Sequence, residues 1–281
     1  MGGTVETAGA PKDIRVVVRE KYGAIAEGKS CGCGCGCSLD DPSKAVEGSG
    51  ASVLEQIGYT AEQKAAVPEG SNLGLGCGSP LSYAHARAGE TVLDLGSGAG
   101  IDCFLAAGDV GPKGHVIGVD MTPAMIERAR DNAAKGDYPN VEFRLGEIEH
   151  LPVADASVDL IISNCVVNLS PDKPQVFREA LRALKPGGRM LVSDLVLTRP
   201  LSPALQKDVD LYVGCVAGAS LREDYLRMMH EAGLADVEVV GEGRYDVGLD
   251  SLPSESKERE AFAAVTSVKV RARKPQGPSP T

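Results

Sequence analysis

No stretch of about 20 apolar residues occurs in this sequence, so it offers no candidate membrane-spanning helix. Its first 30 residues mix charges with small residues and lack the apolar core of a secretory signal, which makes a cytoplasmic protein the expectation. Basic residues are in deficit. Against 39 Asp and Glu stand 29 Lys and Arg, a net charge of −10, the opposite of the basic surface that a phosphate backbone attracts, so nucleic acid is not an expected partner. Histidine is also scarce. His85, His115, His150 and His230 are scattered, and no pair is placed to share general acid–base work.

What is present is an ordinary globular composition, with 43% hydrophobic residues and 34 glycines over 281 residues. That length suits a single core with appendages, and the expected state is a monomer. Cysteine is the unusual residue. Eight cysteines without a secretory signal suit metal-binding, metalloid-binding or catalytic thiols better than a disulfide framework. Four are packed into the repeat Cys31-Gly-Cys33-Gly-Cys35-Gly-Cys37, and the others, Cys77, Cys103, Cys165 and Cys215, lie far apart. In an extended chain, alternate residues share one side, so the repeat can line its thiols along one edge to hold a soft ion or serve as exchangeable thiols. The alternative is a tail whose thiols do nothing specific, because Cys-x-Cys is not the spacing of structural zinc sites.

The organising stretch is Thr91-Val-Leu-Asp-Leu-Gly-Ser-Gly-Ala-Gly-Ile-Asp102, an apolar strand, a glycine turn and a helix start. Glycine lets a backbone adopt positive φ and approach a ligand without a Cβ in the way. A second strand, His115-Val-Ile-Gly-Val-Asp120, ends in a carboxylate able to accept from both hydroxyls of a ribose. Further strands are expected at Val141–Leu145, Val158–Asn164, Arg189–Leu195, Val237–Val240 and Ala264–Arg273, with Lys185-Pro-Gly-Gly188 as a turn. Helices are expected from Asp13 to Ala26 and from Gln175 to Leu184, and after Thr122 as N-cap with Pro123 at the first helical position. Ser71 to Pro80 reads as a glycine-rich loop too flexible to belong to the core. The division expected is 1–70 as a helical and Cys-rich segment, 71–197 as the ligand-binding core, and 198–281 as a helical insertion followed by a strand pair.

Ligands of open parallel α/β sheets bind beyond the carboxyl ends of the strands. Cys165 stands at such an end, Cys77 enters just before the first strand, and Cys215 follows the fifth, the two places where such sheets add substrate caps. Three converging thiols suit a soft centre. Trivalent arsenic forms three bonds to sulfur and keeps a lone pair opposite them. Cys103, beside Phe104 and Leu105, reads instead as a buried helix cysteine.

Asp-x-Gly-x-Gly-x-Gly with a downstream acid resembles the S-adenosylmethionine (SAM) loop of Rossmann-like methyltransferases. Asn-Leu-Gly-Leu-Gly-Cys77-Gly, Gly-Val-Asp-Met-Thr, Ser-Asn-Cys165-Val-Val-Asn-Leu-Ser-Pro-Asp-Lys and Gly-Cys215-Val-Ala-Gly-Ala resemble arsenite SAM methyltransferases, a similarity running from Lys21 to the last strand. The resemblance implies an α/β, class I SAM methyltransferase core with a seven-stranded, mostly parallel sheet and caps at the N terminus and after strand 5. It implies arsenic at Cys77, Cys165 and Cys215, with an auxiliary thiol among Cys31, Cys33, Cys35 and Cys37. It assigns the cofactor to Asp94, Gly96, Ser97, Gly98, Gly100, Asp120, Met121, Glu147, Ile148 and Asn164, with Glu147 accepting from the adenine amine and the Ile148 amide meeting a ring nitrogen. Arsenite or its thiol conjugate is the implied substrate, and glutathione or thioredoxin the implied reductant. Two alternatives stand beside it: a SAM methyltransferase of a small organic acceptor, such as a quinone precursor, and a metalloid-sequestering protein without catalysis.

Overall fold

The computed structural model describes residues 13–29, 53–245 and 253–277, so the Gly-Cys repeat lies outside the described residues. Among these residues four helices precede the sheet: α1 (Ile14–Ala26), α2 (Val53–Gln56), α3 (Ala61–Ala65) and α4 (Leu81–Ala84). Asp13 caps α1 by accepting from the Arg15 amide, and Gly28, at φ 72°, stands just beyond its end. Thr60 and Gln63 close α3 with reciprocal side-chain-to-backbone bonds.

The strands are β1 (Thr91–Leu95), β2 (His115–Asp120), β3 (Val141–Leu145), β4 (Val158–Asn164), β5 (Leu184–Leu197), β6 (Ala235–Gly243) and β7 (Val265–Arg273). They form one seven-stranded sheet in the order β3-β2-β1-β4-β5-β7-β6. The first five are parallel, and β7 runs antiparallel to both β5 and β6. The crossovers carry α5 (Ile101–Val110), α6 (Pro123–Gly136) and α7 (Lys173–Ala183), while α8 (Pro203–Gln206), α9 (Val209–Val213) and α10 (Arg222–Glu231) separate β5 from β6, and α11 (Lys257–Phe262) precedes β7. This is the class I SAM methyltransferase fold.

The central strands are apolar on both faces because helices cover both. Leu93, Leu95 and Ile161 pack with Phe177 and Tyr225 on one side, while Val92, Leu160 and Ile162 pack with Phe104 and Ala107 on the other. A third cluster joins Val18 of α1 and Leu211 of α9 to Cys77, Cys215, Leu195 and Val265, so the cap and the thiols share one apolar body.

Two expectations are corrected, and a third, the N-cap of α6, holds in position. The turn Lys185–Gly188 lies within β5 as an irregularity: Val158 pairs with Leu184 but Leu160 pairs with Arg189, and Gly187 takes φ 78°. Helix α7 begins at Lys173, two residues early, because Asp172 accepts from the Gln175 amide. Thr122 occupies the N-cap position of α6 without a side-chain capping bond, its own amide donating to Asp120 Oδ1.

Two glycines of the β1–α5 turn differ in what surrounds them. Gly96 has φ 68°, and a Cβ there would lie 2.4 Å from Val166 Cγ2, whereas Gly98 has φ 52° and nothing within 4 Å. Gly96→Ala should therefore cost about 2–4 kcal/mol in denaturant unfolding, combining a left-handed alanine with overpacking, and Gly98→Ala only about 1 kcal/mol. Equal losses would show that the contact with Val166 does not matter.

Candidate active site

Because β1, β2 and β4 are parallel, their carboxyl ends share one edge, and a cleft lies there. The glycine turn forms its floor, and Arg15, Val18 and Tyr22 of α1 contribute to its wall. Asp120 reaches it from β2 with both oxygens already engaged, Oδ2 by the Gly98 amide at 3.0 Å and Oδ1 by the Thr122 amide at 2.8 Å. Burial pushes its pKa up, against those two donors.

Most of the cofactor residues implied by the sequence line this cleft: Asp94, Gly96, Ser97, Gly98, Asp120, Met121, Ile148 and Asn164. Gly100 does not. Its φ is 99°, and a Cβ on it would press on Phe104 and Phe143, so glycine is required there by packing. Glu147 is also absent from the lining. Its carboxylate is held by Arg15 Nη1 at 2.9 Å and Arg19 Nη2 at 3.3 Å, both from α1. Sequence reasoning missed those arginines because they precede Glu147 by more than 100 residues.

Behind the turn sits a buried polar cluster. Tyr59 donates to Asp102 Oδ1 and Oδ2 at 2.8 and 2.9 Å, and Cys103 Sγ donates to Asp94 Oδ2 at 3.3 Å. Burial raises Asp102 to about 6, opposed by its hydrogen bonds from Tyr59 and Asn164, and raises Asp94 well above the ordinary range, with Asp102 adding to the rise. Cys103 is buried, as its helix position implied.

The loop carrying Cys77 is packed, contrary to the expectation of a flexible one: Ser71, Cys77 and Ser79 are each at most 3% exposed. Hydrogen bonds explain it. The Cys77 amide donates to Asn164 Oδ1 at 3.0 Å, Asn164 Nδ2 donates to the Gly78 carbonyl at 2.7 Å, and Ser267 Oγ donates to the Cys77 carbonyl at 2.8 Å. Cys165 follows Asn164 directly and lines the cleft, with its amide donating to the Ser193 carbonyl at 2.8 Å.

The sulfurs of Cys77 and Cys165 and a carboxylate oxygen of Asp194 lie within 4.8 Å of one another. Asp194, on β5, is fully buried and was not anticipated. It accepts from Asn168 Nδ2 at 2.8 Å, the Leu195 amide at 3.0 Å and Tyr225 Oη at 3.1 Å. Cys215 Sγ is turned toward the Cys165 carbonyl at 2.9 Å, adjoining this group without belonging to it. Cys165 and Cys215 both hold positive φ, 60° and 63°. Left-handed backbone is uncommon in residues other than Gly, Asn and Asp, and strain of this kind gathers at functional positions. Burial pushes the Cys77 thiol up and the Cys165 thiol well above its ordinary value, the neighbouring sulfurs adding to the rise at Cys165.

A methyltransferase domain family matches residues 86–233. An arsenite methyltransferase from Halobacterium salinarum is 50% identical over 267 residues, covering 94% of this chain and 68% of that protein. One from Aquipseudomonas alcaligenes is 45% identical over 156 residues, covering 53% of this chain and 45% of its own length. The chain belongs to the arsenite methyltransferase family. Among solved structures, an arsenic(III) S-adenosylmethionine methyltransferase from Chlamydomonas reinhardtii superposes with TM-score 0.62 at 32% identity, covering 83% of this chain and 76% of the other. Among the described residues no helix is long and apolar enough to cross a membrane.

The cofactor of this family fits the cleft on one specific observation. Ser97 Oγ is buried, lies in the lining and has no hydrogen-bond partner within the protein, next to Gly98, whose Cβ side is open. A buried hydroxyl without a partner points to a ligand or water that satisfies it.

Burial lifts Asp194 from its ordinary 3.8 to about 7, opposed by the Leu195 and Tyr225 bonds. A raised carboxyl stabilises the fold fully below its unfolded value, and that contribution is lost as pH rises through the folded one. Asp194→Asn cannot ionise, so its melting temperature relative to wild type should climb between about pH 4 and 7. A flat difference across that range would mean the carboxyl is ionised in the fold throughout.

Proposed function

We propose that this chain methylates trivalent arsenic, with the metalloid bound by Cys77, Cys165 and Cys215 and the methyl supplied by SAM in the glycine-turn cleft. The observation that carries this reading is the pairing of the Cys77 and Cys165 sulfurs within 4.8 Å, with Cys165 lining the cleft that Asp120 and Ser97 also line. In this reading Asp120 meets the ribose hydroxyls, Ser97 and Gly98 lie under the amino-acid end, and Met121 and the Ile148 amide adjoin the adenine. Glu147 serves through its bonds to α1 and not by contact with the adenine amine. SAM bound there supplies an electrophilic methyl carbon and leaves as S-adenosylhomocysteine.

The thiols do the rest. Both members of the buried pair have raised pKa values, so they favour the protonated form, and each proton leaves with a hydroxide of arsenite as water. Cys215 joins by releasing the Cys165 carbonyl. Three sulfur bonds leave the arsenic lone pair opposite them as nucleophile, and no general base is needed. Gain of a methyl on that lone pair oxidises arsenic formally by two electrons. Two sulfur ligands departing as a disulfide restore the trivalent state, and glutathione or thioredoxin then returns the thiols. The reading includes a monomer acting in the cytoplasm, with α1 and the helices between β5 and β6 as caps on a core that β6 and β7 complete.

The test is purified protein with SAM, arsenite and a thiol reductant, with arsenic species separated chromatographically. Methylated arsenic should appear only with protein and SAM together. Cys165→Ser and Cys215→Ser should abolish it, while Cys77→Ser should retain methylation of methylarsenite. Full arsenite turnover by Cys165→Ser would sink the thiol site.

A further inference from the structure

Hydrogen bonds connect the floor of the cleft to the backbone of the Cys77 loop through two residues that have no part in the chemistry above. Tyr59, between α2 and α3, is 3% exposed. Its hydroxyl donates to Asp102 at 2.8 Å and accepts from Asn164 Nδ2 at 2.9 Å. Asn164 spans the loop, with Oδ1 taking the Cys77 amide and Nδ2 giving to the Gly78 carbonyl. Only one sense of the amide works. Reversed, its NH₂ would face the Cys77 N–H and its oxygen the Gly78 carbonyl. The second Nδ2 proton is directed at Tyr59 and at Asp102, 3.3 Å away, so these two residues select the working sense. There is little room for error, since a Cβ on Gly76 would stand 2.9 Å from Asn164 Nδ2.

The same Asp102 faces the cleft beside Asp94, and among the described residues no cation pairs with either. Two adjacent buried carboxyls favour a ligand that brings positive charge. An ammonium-bearing ligand in the cleft draws negative charge onto Asp102, and a charged acceptor strengthens the bonds from Tyr59 and Asn164. We propose that Tyr59 and Asp102 are positioning residues that couple occupancy of the cleft by such a ligand to the placing of Cys77 beside Cys165, acting through the Asn164 amide. This rests on the arsenic reading of the thiols. Because coupling between two ligands is reciprocal, arsenic on the thiols must tighten cofactor binding by the same factor.

The experiment measures arsenite affinity of the full chain with and without saturating S-adenosylhomocysteine, which carries the ammonium but no transferable methyl. Wild type should bind arsenite about tenfold more tightly with it, and Tyr59→Phe should keep that ratio within about twofold of unity. A merely structural loss weakens binding in both conditions and leaves the ratio alone. Asp102→Asn, similar in shape, should also lose the coupling, and it carries the test should Tyr59→Phe fail to unfold cooperatively. A ratio in both variants equal to that of wild type, or no coupling in wild type, overturns the relay. Wild type that binds S-adenosylhomocysteine but no arsenite in either condition overturns the proposed function instead, and the relay with it.

Discussion

Asn164 is the residue on which the site depends. As the last residue of β4 it is fixed by pairing with Ser193 of β5, so its side chain leaves the sheet edge at a set place. Its amide then replaces a strand partner for the Cys77–Gly78 backbone, satisfying one donor and one acceptor that burial would otherwise leave orphaned. The Ser193 carbonyl repeats the device one residue on by accepting from the Cys165 amide and, at 3.5 Å, from Cys77 Sγ. Ser267 of β7 holds the Cys77 carbonyl from the other side. The two thiols are thus registered by residues of β4, β5 and β7.

Cys215 stands under a different constraint. It follows α9, where the chain after β5 is short helices and turns, and its sulfur rests on a carbonyl. The sheet thus fixes one pair of thiols, and the segment between β5 and β6 brings the third beside it. The positive φ at Cys165 and Cys215 places the backbone strain on two neighbouring thiol residues.

Strands β1 and β4 were legible to the residue because they are buried on both faces, which leaves continuous apolar runs bounded by glycine, Asp and Asn. By contrast, β5 begins five residues before its expected start, and β6 extends beyond its expected range at both ends. The glycine turn, Asp120 and Cys165 were legible because each sits at the carboxyl end of a strand, a position the order of elements predicts. Asp194 was not. A carboxyl within Leu-Val-Ser-Asp-Leu-Val looks like a polar interruption, and its partners Asn168 and Tyr225 come from separate segments. The burial of the Cys77 loop was hidden for the same reason: glycine-rich sequence signals backbone freedom, while the bonds that remove that freedom come from Asn164 and Ser267, 87 and 190 residues away.

Glu147 shows how a motif position acquires a second use. Its turn after β3 fits the cofactor pattern, and Gly146 and Ile148 on either side do line the cleft. The carboxylate itself is drawn outward by Arg15 and Arg19, and all three side chains are about one-third or more exposed, so each pair contributes little to stability. At the other edge of α1, Tyr22 donates to the Val213 carbonyl at 3.2 Å and Lys21 pairs with Asp210. Helix α1 therefore bridges the turn after β3 and the segment that carries Cys215, with Val18 packed beneath it in the same cluster as Cys77 and Cys215. An apolar centre at Val18 flanked by polar ties at Glu147, Val213 and Asp210 holds α1 across the cleft wall that Arg15, Val18 and Tyr22 help to form.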